Sequence, residues 1–220
     1  MLVSIGEQHP IVGLIMELDI RNINTYVISL PNANDRREKM KSLLSKLGIK
    51  KWSFFDAIDV RGKLPYWIGC GMSHREVLAQ ASYPCIVYED DIDTTSWYKP
   101  TITVPNEKIV YLGISKWGTK SGVSDVNGAK FFETDYDGIL GVQSMVSGHA
   151  IYYPNRKEAS KYGNGITKQL LENLRPMDEW FADVQTKNEV YCLQQPMFYQ
   201  KCDKNEIWTN FEVDRNDIIS

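Results

Sequence analysis

Short runs of β-branched and aromatic residues alternate along this chain with helical segments, and the connections between them are brief. That alternation predicts an α/β fold, a sandwich of helices around a mostly parallel sheet. The chain has 220 residues, 43% of them hydrophobic, enough for one large core without a disulfide framework. No internal repeat, low-complexity run or Pro/Gly/Ser-rich linker divides it, so a single domain over residues 1–220 is expected.

Taken in order, residues 25–30 (TYVISL) read as a buried strand closed by the turn signal of Pro31. Asp35 then opens a helix, with Glu38 at capping-box spacing. Met40, Leu43, Leu44 and Leu47 form its apolar face, and Gly48 stands where a C′ residue belongs. Residues 52–57 read as the next strand. Gly69-Cys70-Gly71 reads as a turn into a helix that Ser73 and Glu76 would cap, with Val77, Leu78 and Ala81 buried. Strands follow at 86–88 and 109–112, and the Gly-, Asp- and Tyr-rich stretch 118–147 reads as loop and short strand. Helices are expected at 155–162, 167–174 and 177–185, and a late strand at 190–193.

The charge balance, 25 Lys+Arg against 28 Asp+Glu, argues against a protein that coats phosphate backbones. The N-terminus has no basic n-region, and Pro10 and Glu17 confine the apolar stretch around residues 11–16 to a length that cannot span a bilayer. Cys70, Cys85, Cys192 and Cys202 form no CxxC pair and no recognisable metal spacing. The expectation is a soluble cytoplasmic protein with free thiols and no integral membrane segment.

The most informative segment is Ile86-Val87-Tyr88-Glu89-Asp90-Asp91-Ile92-Asp93. In open α/β sheets, ligands bind outside the carboxyl ends of strands. Four carboxylates crowded there repel one another unless a cation sits among them, and Mg²⁺ or Mn²⁺ takes one or two such ligands with water and phosphate oxygens. Side-chain alternation puts Glu89, Asp91 and Asp93 on one side and Asp90 on the other, so Glu89 and Asp91 are the candidate metal ligands. Asp135 and Asp137 form another D-x-D, but Gly138 follows and a turn explains them.

The order of motifs resembles that of the family 25 glycosyltransferases, which include lipopolysaccharide sugar transferases and collagen galactosyltransferases. The residues that carry the likeness are Val27-Ile28-Ser29-Leu30, Asp35-Arg36-Arg37, Phe55-Asp56-Ala57-Ile58-Asp59, Gly69-Cys70-Gly71-Met72-Ser73-His74 and Glu89-Asp90-Asp91. Tyr111-Leu112-Gly113, Gly148-His149-Ala150-Ile151-Tyr152 and Pro176-Met177-Asp178-Glu179 extend it over roughly residues 23–200.

This resemblance implies a glycosyltransferase-A-like, Rossmann-type α/β/α sandwich. It also implies metal-assisted, inverting transfer from a nucleotide-sugar donor, expected to be a UDP-sugar, to an acceptor hydroxyl. Glu89 and Asp91 would hold Mn²⁺ or Mg²⁺. Arg36 or Arg37 would contact phosphate or base, and Ala57, Asp59 and Asp90 match donor-pocket motifs. Ser73 and His74 would bring backbone N–H groups and an imidazole to the donor, although a cap role accounts equally well for Ser73. Asp178 is the first candidate for the base and Glu179 the second, against the alternative that both are acids suited to a helix N-terminus. Trp117 and His149 are candidates for acceptor contacts. The expected acceptor is a saccharide such as lipopolysaccharide. The alternatives are a hydroxylated base in DNA, as for phage-encoded transferases working in a host cytoplasm, or an inactive transferase-like binding domain.

Overall fold

The computed structural model describes residues 14–120, 123–125, 127–201, 213 and 218–219; the N-terminal residues 1–13 and Cys202, both read above, lie outside them. Its strands are β1 (Ile15–Asp19), β2 (Asn24–Ser29), β3 (Trp52–Asp56), β4 (Cys85–Glu89), β5 (Ile92–Thr94), β6 (Thr101–Pro105), β7 (Val110–Tyr111), β8 (Gly118–Lys120), β9 (Val123–Asp125), β10 (Lys130–Phe132), β11 (Ile139–Gln143), β12 (Ala150–Tyr153), β13 (Tyr191–Leu193), β14 (Phe198–Gln200) and β15 (Ile218–Ile219). The α-helices are α1 (Asn34–Lys46), α2 (Tyr66–Gln80), α3 (Arg156–Leu171) and α4 (Met177–Gln185).

Nine strands form the central sheet, in the order β15-β10-β11-β13-β7-β12-β4-β2-β3. The fold is α/β as expected, but the sheet is mixed rather than mostly parallel. β12 runs antiparallel to β4 and β7, and β11 antiparallel to β13 and β10, while the other neighbours are parallel. The cause lies in the connections. A parallel neighbour requires a long crossover, usually a helix, and the segments joining β7 to β12 and β10 to β11 contain none.

Side-chain alternation along β4 divides the core. Ile86 and Tyr88 face one side, with Val27 of β2 and Met40 and Leu44 of α1. Cys85 and Val87 face the other, with Val77 and Leu78 of α2, Tyr162 of α3 and Phe181 of α4. The chain passes from β2 through α1 to β3 on one side of β2, then through α2 to β4 on the other. Such a reversal of strand order opens a crevice at the carboxyl ends of β2 and β4.

Several local readings change. α1 starts at Asn34 after Ala33, with no side-chain cap, so Asp35 is a first-turn acid rather than the cap. Its other end is as expected: Gly48 adopts φ +70°. The Gly48 amide donates to Ser45 O and the Ile49 amide to Leu44 O, each at 3.0 Å, which is a Schellman closure. α2 begins at Tyr66 behind Pro65, seven residues before Ser73, so Gly69-Cys70-Gly71 lies inside the helix and is not a turn. Glycine is needed there for close approach: a Cβ on Gly69 would sit 2.6 Å from Ile58 O, and one on Gly71 2.8 Å from Leu170 Cδ1. The two helices expected at 155–162 and 167–174 are the single helix α3, capped by Asn155, whose side chain accepts the Glu158 amide. Asp135 and Asp137 lie in the turn between β10 and β11, as read.

Two glycines of α3 test this packing. A Cβ on Gly165 would lie 2.1 Å from the Trp180 ring, which is pinned by its Nε1–H donating to Tyr162 O at 2.7 Å. A Cβ on Gly163 meets nothing closer than Leu78 Cβ at 3.8 Å. Gly165→Ala should destabilise the fold by about 1–3 kcal/mol, and Gly163→Ala should stabilise it by about 0.5–1 kcal/mol. Chemical denaturation of the two variants measures both; equal effects would contradict the packing of α3 on α4.

Candidate active site

β4 delivers Glu89 to the carboxyl edge of the sheet, between two cavities. The larger, about 660 Å³, lies over the crevice between β2 and β4 and is walled by the loop after β3 and by α2. The smaller, about 390 Å³, lies between α2, the residues leading into β12 and the start of α4. Tyr66, Cys70, Glu89 and Gln200 line both, so the two form one cleft divided at Glu89.

Glu89 is held from below. His74, fully buried on α2, places Nε2 2.9 Å from Glu89 Oε1, and the Cys70 thiol lies 3.7 Å from the same oxygen. Burial is the largest single influence and works to raise the Glu89 carboxyl, but the hydrogen bond and charge of His74, with smaller contributions from His149 and the Cys70 thiol, together hold the group below its ordinary value. The other oxygen, Oε2, accepts from Gln200 Nε2 at 3.3 Å, and the same amide donates to Asp91 Oδ2 at 3.0 Å. Pairing of β14 with β5 sets Gln200 opposite Ile92 and so fixes the amide between the two acids. Asp91 Oδ1 is buried with no partner. Burial and the Glu89 charge push Asp91 up to about 7.

These features fit a hard divalent cation. Two carboxylates converge on one point, one of their oxygens is orphaned, and a neutral amide is all that separates their like charges. The strand does not continue through these acids as the alternation read from the sequence assumed: β4 ends at Glu89 and Asp90-Asp91 form a turn before β5, so Glu89 and Asp91 meet across that turn, joined by Gln200. Asp93 instead accepts the Thr94 amide.

Asp90, the first residue of that turn, lines the larger cavity together with Glu89 and Asp91. Ser29 Oγ donates to it at 2.6 Å and Arg36 Nη1 at 2.9 Å, tying the ends of β2 and β4 to the first turn of α1. Arg36, Asp90, Ala57 and Asp59 all line the larger cavity. Asp59 is paired with Arg61, which holds its carboxyl down to about 2. Arg37 does not join them. Its guanidinium donates to the carbonyls of Ser29 and Leu30, pairs with Asp56 and lies over the Phe54 ring, fastening β2 to β3.

Ser73 and His74 sit in mid-helix, so their amides are spent inside α2 and offer nothing to an anion. Ser73 Oγ instead donates to Gly69 O and accepts the Ile58 amide at 2.8 Å, pinning the loop after β3 to α2. His74 acts through Glu89.

The smaller cavity gathers Trp117, His149, Asp178 and Glu179. Because β12 is reversed, its amino end lies at the carboxyl edge of β4, where Glu89 N–H donates to His149 O at 3.0 Å. The His149 ring is itself buried, with Nδ1 2.9 Å from Ser147 Oγ, and burial drives it down to about 4. A Cβ on Gly148 would come within 3.3 Å of Glu89 Oε1, so this glycine keeps the junction open. In the first turn of α4, burial followed by the Glu89 charge pushes Asp178 up to about 6. Glu179 is paired with Arg175 at 2.9 Å. Tyr66, Trp67, Cys70 and Gln200 were not among the residues expected. Tyr66 and Trp67 belong to the turn of α2 that precedes its expected start, and Gln200 carries no local sequence signal.

Because its folded value is raised, ionised Asp91 costs stability. That cost is absent below the ordinary carboxyl value of 3.8 and complete above about 7. Asp91→Asn should therefore stabilise the metal-free protein on the order of 1–3 kcal/mol at about pH 8. The gain should shrink on acidification and vanish below about pH 4. Denaturant titrations across that range check the sign; a gain that grew on acidification would contradict it.

Compared with known proteins, the chain matches no protein-family model and no curated protein.

Proposed function

We propose that the cleft is the active site of a metal-assisted, nucleotide-sugar-dependent glycosyltransferase that inverts the anomeric centre. The observation that carries this reading is the division of one cleft at Glu89. A carboxylate pair suited to a hard cation stands at the division, basic and polar groups line one side, and Asp178 and Glu179 with aromatic rings line the other.

On this reading the larger cavity takes the nucleoside diphosphate. Arg36, already turned into the cavity by Asp90, supplies a guanidinium to phosphate oxygens. Glu89 and Asp91 hold Mn²⁺ or Mg²⁺, which when bound offsets the negative charge of the departing diphosphate. The donor sugar reaches across Glu89 into the smaller cavity, where the acceptor hydroxyl waits. As the bond from the anomeric carbon to the diphosphate oxygen breaks, the acceptor oxygen bonds to that carbon from the opposite face, and its proton passes to Asp178. A carboxylate raised to about 6 remains ionised near neutrality and is a stronger base than an ordinary aspartate. Glu179, committed to Arg175, is the poorer candidate. Tyr66, Trp67 and Trp117 favour a saccharide acceptor, since sugar C–H faces pack on aromatic rings.

Metal-dependent hydrolysis and transfer assays with a panel of UDP-sugars test this directly. Asp178→Asn should keep UDP affinity and lower turnover by about 10²–10⁴-fold. Full residual activity would move the base elsewhere, and no turnover or nucleotide binding by the unaltered protein would favour an inactive binding domain. Arg36→Ala should weaken UDP binding about tenfold. Arg37→Ala should leave UDP affinity unchanged and lower the denaturation midpoint, because its contacts join strands.

A further inference from the structure

Cys70 and His74 lie four residues apart on α2, so their side chains leave the same face of the helix. That face looks onto the end of β4. Cys70 Sγ, His74 Nε2 and Glu89 Oε1 lie within 4.8 Å of one another, with His74 and Cys70 both directed at the carboxylate oxygen. We propose that this triad binds a thiophilic divalent cation of the zinc class, and that its occupation excludes the hard cation from Glu89 and Asp91.

The donor set decides the metal. Thiolate, imidazole and carboxylate are the three ligand types that zinc accepts, at roughly 2.0–2.3 Å each. Mg²⁺ and Mn²⁺ prefer oxygen ligands and gain little from sulfur. Three protein ligands leave a fourth position, and Cys70 and Glu89 both line the cleft, so water reaches it. Binding exchanges the thiol proton for the metal, and the proton leaves to solvent. The imidazole binds through Nε2 in the tautomer that carries its proton on Nδ1. That nitrogen is buried without a partner, so one ring nitrogen is orphaned in either tautomer and the exchange adds no new orphan. Glu89 is the shared residue: drawn toward Cys70 and His74, it is withdrawn from Asp91. Zinc binding itself stands independently of the transferase reading; only the antagonism toward nucleotide binding rests on it.

The test uses the full chain without nucleotide and Co²⁺ as a spectroscopic stand-in for Zn²⁺. One equivalent of Co²⁺ should produce a thiolate-to-cobalt charge-transfer band that Zn²⁺ abolishes by displacement. Cys70→Ser should eliminate the band and Cys202→Ser should leave it intact, while Glu89→Gln should weaken Co²⁺ binding at least tenfold. No band in the unaltered protein, or a band that survives Cys70→Ser, would overturn the proposal. In a second arm, Zn²⁺ should weaken Mn²⁺-dependent UDP binding at least tenfold in the unaltered protein and not in Cys70→Ser; equal antagonism in both would overturn the shared-ligand claim. Cobalt–thiolate binding in a protein that never binds UDP would leave the triad standing and remove the transferase reading, and the reverse pattern would do the opposite.

Discussion

Glu89 ends a strand whose preceding four residues are fully buried, and its carboxylate is fixed on one side by a buried histidine. A charge in that position needs compensation, because desolvation otherwise favours the neutral acid. His74 compensates one oxygen and leaves the other facing the cleft. The remaining features of the carboxyl edge follow from this arrangement. Asp91 and Asp178 are both raised first by burial and next by the Glu89 charge, so the same ionised group adds to the shift of two others. A cation bound beside Glu89 and Asp91 would lower the field felt at Asp178, which couples the two halves of the proposed reaction through electrostatics alone.

The reversed strand matters as much as the parallel ones. Had β12 run parallel to β4, its carboxyl end would lie beside Glu89. Reversal brings Ser147, Gly148 and His149 there instead, with a glycine where any side chain would press on the Glu89 carboxylate. The ribbon of β5 and β14 then closes the site from the far side by delivering Gln200. The cleft is therefore assembled from several separated stretches of chain, each positioned by sheet register or helix packing. The metal-free protein bears the cost of keeping Asp91 near Glu89, as is common where a site is shaped for a ligand rather than for stability.

Much of this was legible in the sequence where local chemistry decides the outcome. The run through Glu89-Asp90-Asp91 announced a strand end crowded with acids, Gly48 announced the end of α1, and the bounds of α4 agree with those read from the pattern; the turn at Asp90-Asp91, which replaces the expected alternation, was not legible. The misreadings share a cause. Gly69-Cys70-Gly71 has the composition of a turn, yet the glycines serve close packing against Ile58, Leu170 and Met177, which only the tertiary structure supplies. Glycines also made α3 look like two helices. Strand direction was misjudged because a buried run reads the same in both directions, and only the missing crossover between β7 and β12 reveals the reversal. The Cys70–His74 spacing was present in the sequence, but a helix that seemed to start at Ser73 separated the two residues.

The central claim is that Glu89 and Asp91 form a carboxylate pair completed by a hard cation that carries the donor diphosphate. Calorimetric titration of UDP into the full chain, with and without Mn²⁺, tests it most directly when repeated on Asp91→Asn. The account predicts UDP binding that requires Mn²⁺ and disappears in the variant while the fold persists. UDP binding that ignores Mn²⁺, or that survives Asp91→Asn unchanged, would contradict it.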